Sequence, residues 1–177
     1  MTIKNIKDKI KEYFFVNPTV KVRVRQIERE LKIPLPSAIR YVKELEKEGI
    51  LKNEKIAEIV LFSADRTSSA FLLEKRLFNI KSIYLSGVIE HLVNEYSNPI
   101  ILVFGSYAKG EDIEDSDIDL YIQTSSKKDM TLEKFEKILK RKIQIFVYPN
   151  INKVNNPNLS NNIINGITLN NFLEVFK

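Results

Sequence analysis

The 177-residue chain has no cysteine and a single histidine, His91. Without cysteine there is no disulfide framework and no thiolate metal site. His91 has no sequence partner for catalysis and reads as a structural residue beside a helix stripe. No apolar run approaches the ~20 residues that span a bilayer. Residues Met1 to Lys11 alternate Lys with Ile and Asn, a start without the apolar stretch of a signal peptide. These absences lead to the expectation of a cytoplasmic protein with no membrane partner. Internal repeats are missing too. What the first third lacks is acid: residues 1–64 hold 14 Lys and Arg against 9 Asp and Glu, a net of +5, and the remainder is neutral. That asymmetry points either to a polyanionic partner or to a solvated basic surface. Apolar residues make up 44% of the chain, enough for a real core in one or two small domains.

Hydrophobic spacing predicts a helix over Lys4–Phe15 with Ile3, Ile6, Ile10 and Phe14 on one face. Asn17-Pro18 ends it. Val24, Ile27 and Leu31 space a short second helix, broken at Lys32-Ile33-Pro34. A third has Pro36 in its first turn, Leu35, Ala38, Val42 and Leu45 inside, and Gly49 just past its end. Ile50-Leu51 and Ile56–Phe62 then read as a hairpin around Asn53-Glu54-Lys55. The small polar residues 63–70 mark a boundary, giving domains at 1–64 and 81–177 with a connecting helix and linker at 65–80. A helix over Lys81–Tyr96 carries the stripe Leu85, Val88, Ile89, Leu92, Val93 and Tyr96. Strands follow at Ile100–Phe104, Ile118–Ile122 and Ile143–Tyr148, with a helix at Leu132–Leu139 between the last two. Asn150–Asn158 reads as a loop and Ser160–Asn165 as a short helix. The fold class is α/β (α+β): a small helical domain with a hairpin, then a mixed sheet with helices.

The run from Leu31 to Leu51, ending Leu45-Glu46-Lys47-Glu48-Gly49-Ile50-Leu51, resembles the helix-turn-helix and wing of winged-helix transcription regulators over about the first 60 residues. At ~100° per residue, Ser37, Arg40, Lys43 and Lys47 point away from the inner face. Arg40 is placed to reach a base edge or a phosphate, Ser37 and Lys43 to hold phosphate oxygens, and Lys47 belongs to the same DNA-binding set. Lys52 and Lys55 sit on the wing, and Arg23 and Arg25 flank the second helix. DNA is the partner this resemblance implies. The alternative is a protein-contact module whose charges are solvated, and Glu44, Glu46 and Glu48 on the same helix favour it.

The most informative stretch is Phe104-Gly105-Ser106-Tyr107-Ala108-Lys109-Gly110, followed by Ser116-Asp117-Ile118-Asp119-Leu120. Gly105 allows a sharp turn and close approach to a ligand. Ser106 offers a hydroxyl and an N–H at a helix start, chemistry that suits phosphate. Asp117 and Asp119 are two apart on a strand and share one face. Mg²⁺ takes oxygen ligands, commonly one or two carboxylates plus substrate phosphates. Lys109 lies near those phosphates or is a solvated helix residue. Glu111, Asp112, Glu114 and Asp115 read as loop surface, and Lys137, Lys140, Arg141 and Lys142 as a solvated helix end.

An apolar strand, Gly-Ser, a short helix with Ala108 and Gly110, then Ser-Asp-x-Asp-Leu resembles the nucleotidyltransferase superfamily of DNA polymerase beta, especially its minimal members. The resemblance covers residues 85 to about 170, and Ile163-Ile164-Asn165-Gly166-Ile167-Thr168-Leu169 looks like their closing helix and Gly-Ile turn. It implies that Gly105 and Ser106 hold the β- and γ-phosphates of an NTP, with ATP the expected one. It implies that Asp117 and Asp119 coordinate Mg²⁺ (or Mn²⁺). An acceptor hydroxyl, on nucleic acid or protein, would attack the α-phosphorus. Minimal members include antitoxins that adenylylate a partner toxin, so a toxin is among the implied partners, and a homodimer stays open. The family's third carboxylate falls at Gln144, which carries no charge and takes up no proton. Transfer would be slow, use another carboxylate such as Glu133 or Glu58, or give way to nucleotide sensing by a DNA-binding regulator.

Overall fold

A computed structural model describes residues 5–126, 128 and 130–175. It divides into two compact units between Phe78 and Asn79, inside the segment expected to link two domains.

The first unit begins with α1 (Ile6–Val16), capped by the Asn5 side chain, which accepts from the Asp8 N–H at 2.8 Å. Ile3 and Lys4, expected on this helix, lie outside the described residues. Helices α2 (Val24–Leu31) and α3 (Leu35–Lys47) follow. Gly49, at φ +72°, closes α3: its N–H donates to the Glu46 carbonyl at 3.0 Å and the Ile50 N–H to Leu45 at 2.9 Å. That is the left-handed C-terminal motif that favours glycine. Ile10, Phe14, Ile27, Ala38, Val42 and Leu45, each fully buried, form the core of this unit.

The hairpin is present, but its turn is displaced from the expected site. β1 (Leu51–Ile56) and β2 (Ile59–Ala64) pair antiparallel, and Ala57-Glu58 turn the chain. Asn53, Glu54 and Lys55 lie within β1 because Lys52–Ile56 face solvent, where polar residues need no turn. Ala57 takes the positive φ of +54° that a two-residue connection demands. Ser63 and Ala64, expected at the boundary, end β2, and Ala64 is buried.

Helix α4 (Ser69–Ser86) is continuous, and α5 (Val88–Glu95) is separate. The single helix expected over Lys81–Tyr96 is therefore broken at Gly87, which adopts φ +79°. The break resets the helical phase. Val88, Ile89, Leu92 and Tyr96 stay buried, while Leu85, expected in the same stripe, is 77% exposed.

The second unit is built on a four-stranded sheet in the order β5-β4-β3-β6. Its strands are β3 (Ile100–Phe104), β4 (Ile118–Gln123), β5 (Ile143–Tyr148) and β6 (Ile167–Asn170). β4 and β5 are parallel; β3 runs antiparallel to both β4 and β6. Short helix α6 (Gly105–Lys109) follows β3, and α7 (Glu133–Leu139) makes the crossover to β5. One face, with Ile101, Val103, Ile118, Leu120 and Ile122, packs with α5 residues and Phe135. The other, with Leu102, Phe104 and Tyr121, packs with Ile151, Val154 and Ile163.

α8 (Pro157–Ile164) starts earlier than the expected Ser160, because the Asn156 side chain caps it and Pro157 suits its first turn. Gly166 lets the chain double back onto β3: a Cβ there would lie 2.7 Å from the Val103 carbonyl. The strand that follows, β6, was not expected. Its four residues carry too short a pattern to separate from a turn, and only the free edge of β3 makes them a strand.

Candidate active site

The sheet's pleat decides which β4 side chains can do chemistry. Ile118, Leu120 and Ile122 go into the larger core, so Asp119 points to the opposite face. Phe104 is its partner on β3 and Gln144 its partner on β5. Asp117 stands just before β4 and is exposed; Asp119 is half-buried. The Ile118 N–H donates to the Lys142 carbonyl at 2.8 Å, which fixes the start of β4 against β5.

Gly105 and Asp119 are bound together by space. Gly105 has φ +72°, and a Cβ built on it would fall 2.5 Å from Asp119 Oδ2. The carboxylate therefore lies against the bare Cα of the turn that opens α6. Ser106 is the next residue, half-buried, and the first-turn N–H groups of this helix have no intrahelical acceptor. Gly105, Ser106 and Asp119 thus meet at one end of the sheet. Partial burial, and then the charge of Asp117, hold the Asp119 carboxyl above the usual carboxylate range. A carboxylate held so, with a second one nearby, favours a bound cation.

Asp117 and Asp119 fit a Mg²⁺ ion that completes its shell with water and substrate phosphates. Among the described residues no three His, Cys, Asp or Glu side chains gather as a metal cluster, so the protein offers these two carboxylates and no full cage. Gln144 is exposed beside Asp119 and brings an amide to the position next to the pair. Glu133, at the start of α7, lines a cleft of about 520 Å³ together with Asp117, Lys137 and Lys140. Glu58 belongs to the hairpin turn of the first unit. Lys109 is exposed at the end of α6. Lys142, also on the cleft, pairs with Glu136 at 3.2 Å. Glu136 in turn accepts from the Ile143 N–H at 3.0 Å, and that bond, with Lys142 second among the attractions, holds its carboxyl below the usual range.

Two residues expected at the surface are buried. Asp112 is not surface: it is 1% exposed, and Arg141, read as part of a solvated helix end, is 8% exposed. Arg141 Nη2 donates to Asp112 Oδ2 at 3.4 Å, and Asn79 Nδ2 donates to Asp112 Oδ1 at 2.7 Å and to the Tyr107 carbonyl at 2.9 Å. This buried group ties α6, the loop before Asp117 and the approach to β5. No periodic pattern in the sequence signals it. Tyr107 is itself core, 3% exposed, with its hydroxyl pushed up by burial. The His91 ring packs against Phe135, centroids 5.1 Å apart.

In the first unit, Arg40, Lys43, Lys47, Lys52 and Lys55 are exposed and Ser37 is half-buried. Arg40 is already engaged. Its guanidinium lies 4.4 Å over the Tyr41 ring, donates to the Tyr41 hydroxyl at 2.6 Å and stands 3.8 Å from Glu44.

A strand, a Gly-Ser turn and an Asp-x-Asp strand on one side of a mixed sheet define the class, and comparison agrees. Residues 88–171 match the family model described as Polymerase beta, Nucleotidyltransferase. That segment is a nucleotidyltransferase domain of the polymerase beta type, and the match takes in every strand of the second unit's sheet. The first 87 residues carry no family assignment. Comparison with curated proteins and with solved structures gave no match. Among the described residues no helix is long and apolar enough to cross a membrane.

Proposed function

We propose that the second unit transfers a nucleoside monophosphate from an NTP, with ATP the expected donor, to an acceptor hydroxyl on nucleic acid or protein. The observation that carries this reading is the apposition of Asp119 and Gly105: the missing Cβ leaves the carboxylate beside the Gly105-Ser106 turn. In this reading Gly105 and Ser106 hold the β- and γ-phosphates, and Asp117 and Asp119 hold Mg²⁺ (or Mn²⁺). When bound, the metal supplies positive charge that offsets the carboxylates and the phosphates. The acceptor oxygen forms a bond to the α-phosphorus as the bond to pyrophosphate breaks. The chain's work is positioning and charge placement. The first unit's three helices and hairpin support a winged helix that docks the enzyme on DNA, with a protein acceptor such as a toxin as the other route to a substrate.

One observation favours a second reading. Gln144 stands in register with Asp119, and an amide neither adds charge for metal nor accepts the acceptor's proton. Under that reading the pocket senses a nucleotide without turnover and the first unit regulates DNA. Incubation with Mg²⁺ and each α-labelled NTP, wild type beside Gln144→Asp, separates the two. Label transfer by wild type, raised in Gln144→Asp, supports the enzyme. No transfer by wild type, together with tight NTP and DNA binding, supports the sensor and removes the enzyme.

A further inference from the structure

The first unit's cationic residues differ in how far the protein neutralises them. On α3, Arg40 is committed to Tyr41 and Glu44, and Lys43 and Lys47 share the helix with Glu44, Glu46 and Glu48. Three cations stand there in sequence with three carboxylates, so the formal charge cancels, although of the three cations only Arg40 has an ion pair among the described residues. On α2 the balance is different. Arg23 precedes the helix in extended conformation, its N–H satisfied by Gln26 Oε1 at 2.9 Å, and Arg25 and Arg29 follow on the exposed side. Arg23, Arg25, Gln26 and Arg29 line one shallow concavity. Among the described residues none of the three arginines has an ion pair. Elsewhere in the unit Lys7, Lys11, Lys21 and Lys55 each have one; Lys43 and Lys47 have none among the described residues, and what sets the arginines apart from them is the shared concavity and the guanidinium group. Glu28 is on the same helix and pairs with none of them, and Glu30 is taken by the Tyr13 hydroxyl.

We infer that the polyanion-binding surface of the first unit is this arginine triad on α2, and that its partner is the phosphate backbone of duplex DNA. Guanidinium groups bind phosphate oxygens two at a time and stay charged at any physiological pH. An unpaired arginine has no intramolecular bond to give up when it does so. Arg25 and Arg29 are one helical turn apart, about 6 Å along the axis. Phosphates on one DNA strand rise about 3.4 Å per nucleotide along the duplex axis and lie farther apart along the winding backbone, so the two side chains can address neighbouring phosphates. Backbone contact carries no base readout, so binding is sequence-tolerant and steeply salt-dependent. The inference rests on the DNA-docking part of the reading above and is independent of nucleotide transfer.

The test is fluorescence anisotropy of the full chain with a labelled mixed-sequence duplex across a KCl series. Each phosphate contact contributes about 0.9 to the slope of log K against log salt. The triple variant Arg23→Gln, Arg25→Gln, Arg29→Gln is expected to lose about 2–3 from the slope and about 100-fold in affinity near 0.15 M salt. Lys43→Gln with Lys47→Gln is expected to change affinity less than threefold. Single Arg25→Gln and Arg29→Gln, each expected to lower the slope by about 1, keep the test valid if the triple variant folds poorly. If wild type does not bind duplex, both the DNA reading and the triad fall. If wild type binds but the α3 pair sets the slope, the triad alone falls. Displacement by polyglutamate as effective as by duplex at equal charge overturns the choice of DNA as partner.

Discussion

Gly105→Ala should cost the second unit about 2–3 kcal/mol, and a definable part of that cost should come from one carboxylate. Two contributions are separable. At φ +72°, any side chain pays a conformational penalty of roughly 1–2 kcal/mol. The new methyl also falls 2.5 Å from Asp119 Oδ2. Asp119 is a short side chain on a strand paired on both sides, so it must leave its rotamer, at roughly 0.5–1.5 kcal/mol. Gly87 is the internal control: its φ is +79°, and a Cβ there meets nothing within 4 Å. Gly87→Ala should show the conformational penalty alone. Urea denaturation of both variants, each in wild-type and Asp119→Ala backgrounds, completes the cycle. Removing the carboxylate should bring Gly105→Ala down to the Gly87→Ala cost, a coupling of about 1 kcal/mol. Gly87→Ala should be indifferent to the background. An unchanged Gly105→Ala cost in Asp119→Ala would refute the apposition on which the site depends.

Other outcomes follow from the same geometry. Burial and the Asp117 charge raise the Asp119 pKa, so the folded state favours its protonated form. That contribution is fully present below the unfolded pKa and is lost as pH rises through the folded one. Asp119→Asn should therefore stabilise the metal-free protein at neutral pH by thermal melting while removing the Mg²⁺-dependent rise in Tm expected of wild type. Asp112→Ala deprives Arg141 and Asn79 of a shared acceptor and should cost about 3 kcal/mol by denaturation. Lys55→Ala, which breaks the exposed pair with Glu58, should cost less than about 0.5 kcal/mol. Comparable costs for the two would contradict the buried role given to Asp112.

Much of the site was legible because its signal is local. The strand-turn-strand spacing around Gly105, Ser106, Asp117 and Asp119 depends on pleat and turn geometry, which near neighbours dictate. Gln144 was legible because the alternation of Ile143, Ile145 and Val147 sets the face of β5. The helices of the first unit, and the glycine stop at Gly49, were readable from period and capping. The misses have causes that periodicity does not carry. Gly87 breaks a helix that periodicity draws as continuous. β6 exists because β3 has an edge to fill. Asp112 and Arg141 look like surface charges until residues 29 positions apart meet in the interior. The hairpin turn moved to Ala57 because a solvent-facing strand accepts Asn53, Glu54 and Lys55 without complaint.

Both functional readings need the same pocket, so its occupancy is the most direct question. Calorimetric titration of ATP into wild type, Asp117→Asn and Asp119→Asn, with and without Mg²⁺, answers it. Wild type should bind only with Mg²⁺, and binding should be lost in Asp119→Asn and weakened at least tenfold in Asp117→Asn. Absence of binding by wild type, or equal binding by all three proteins, would contradict a metal–triphosphate site at Gly105, Ser106, Asp117 and Asp119.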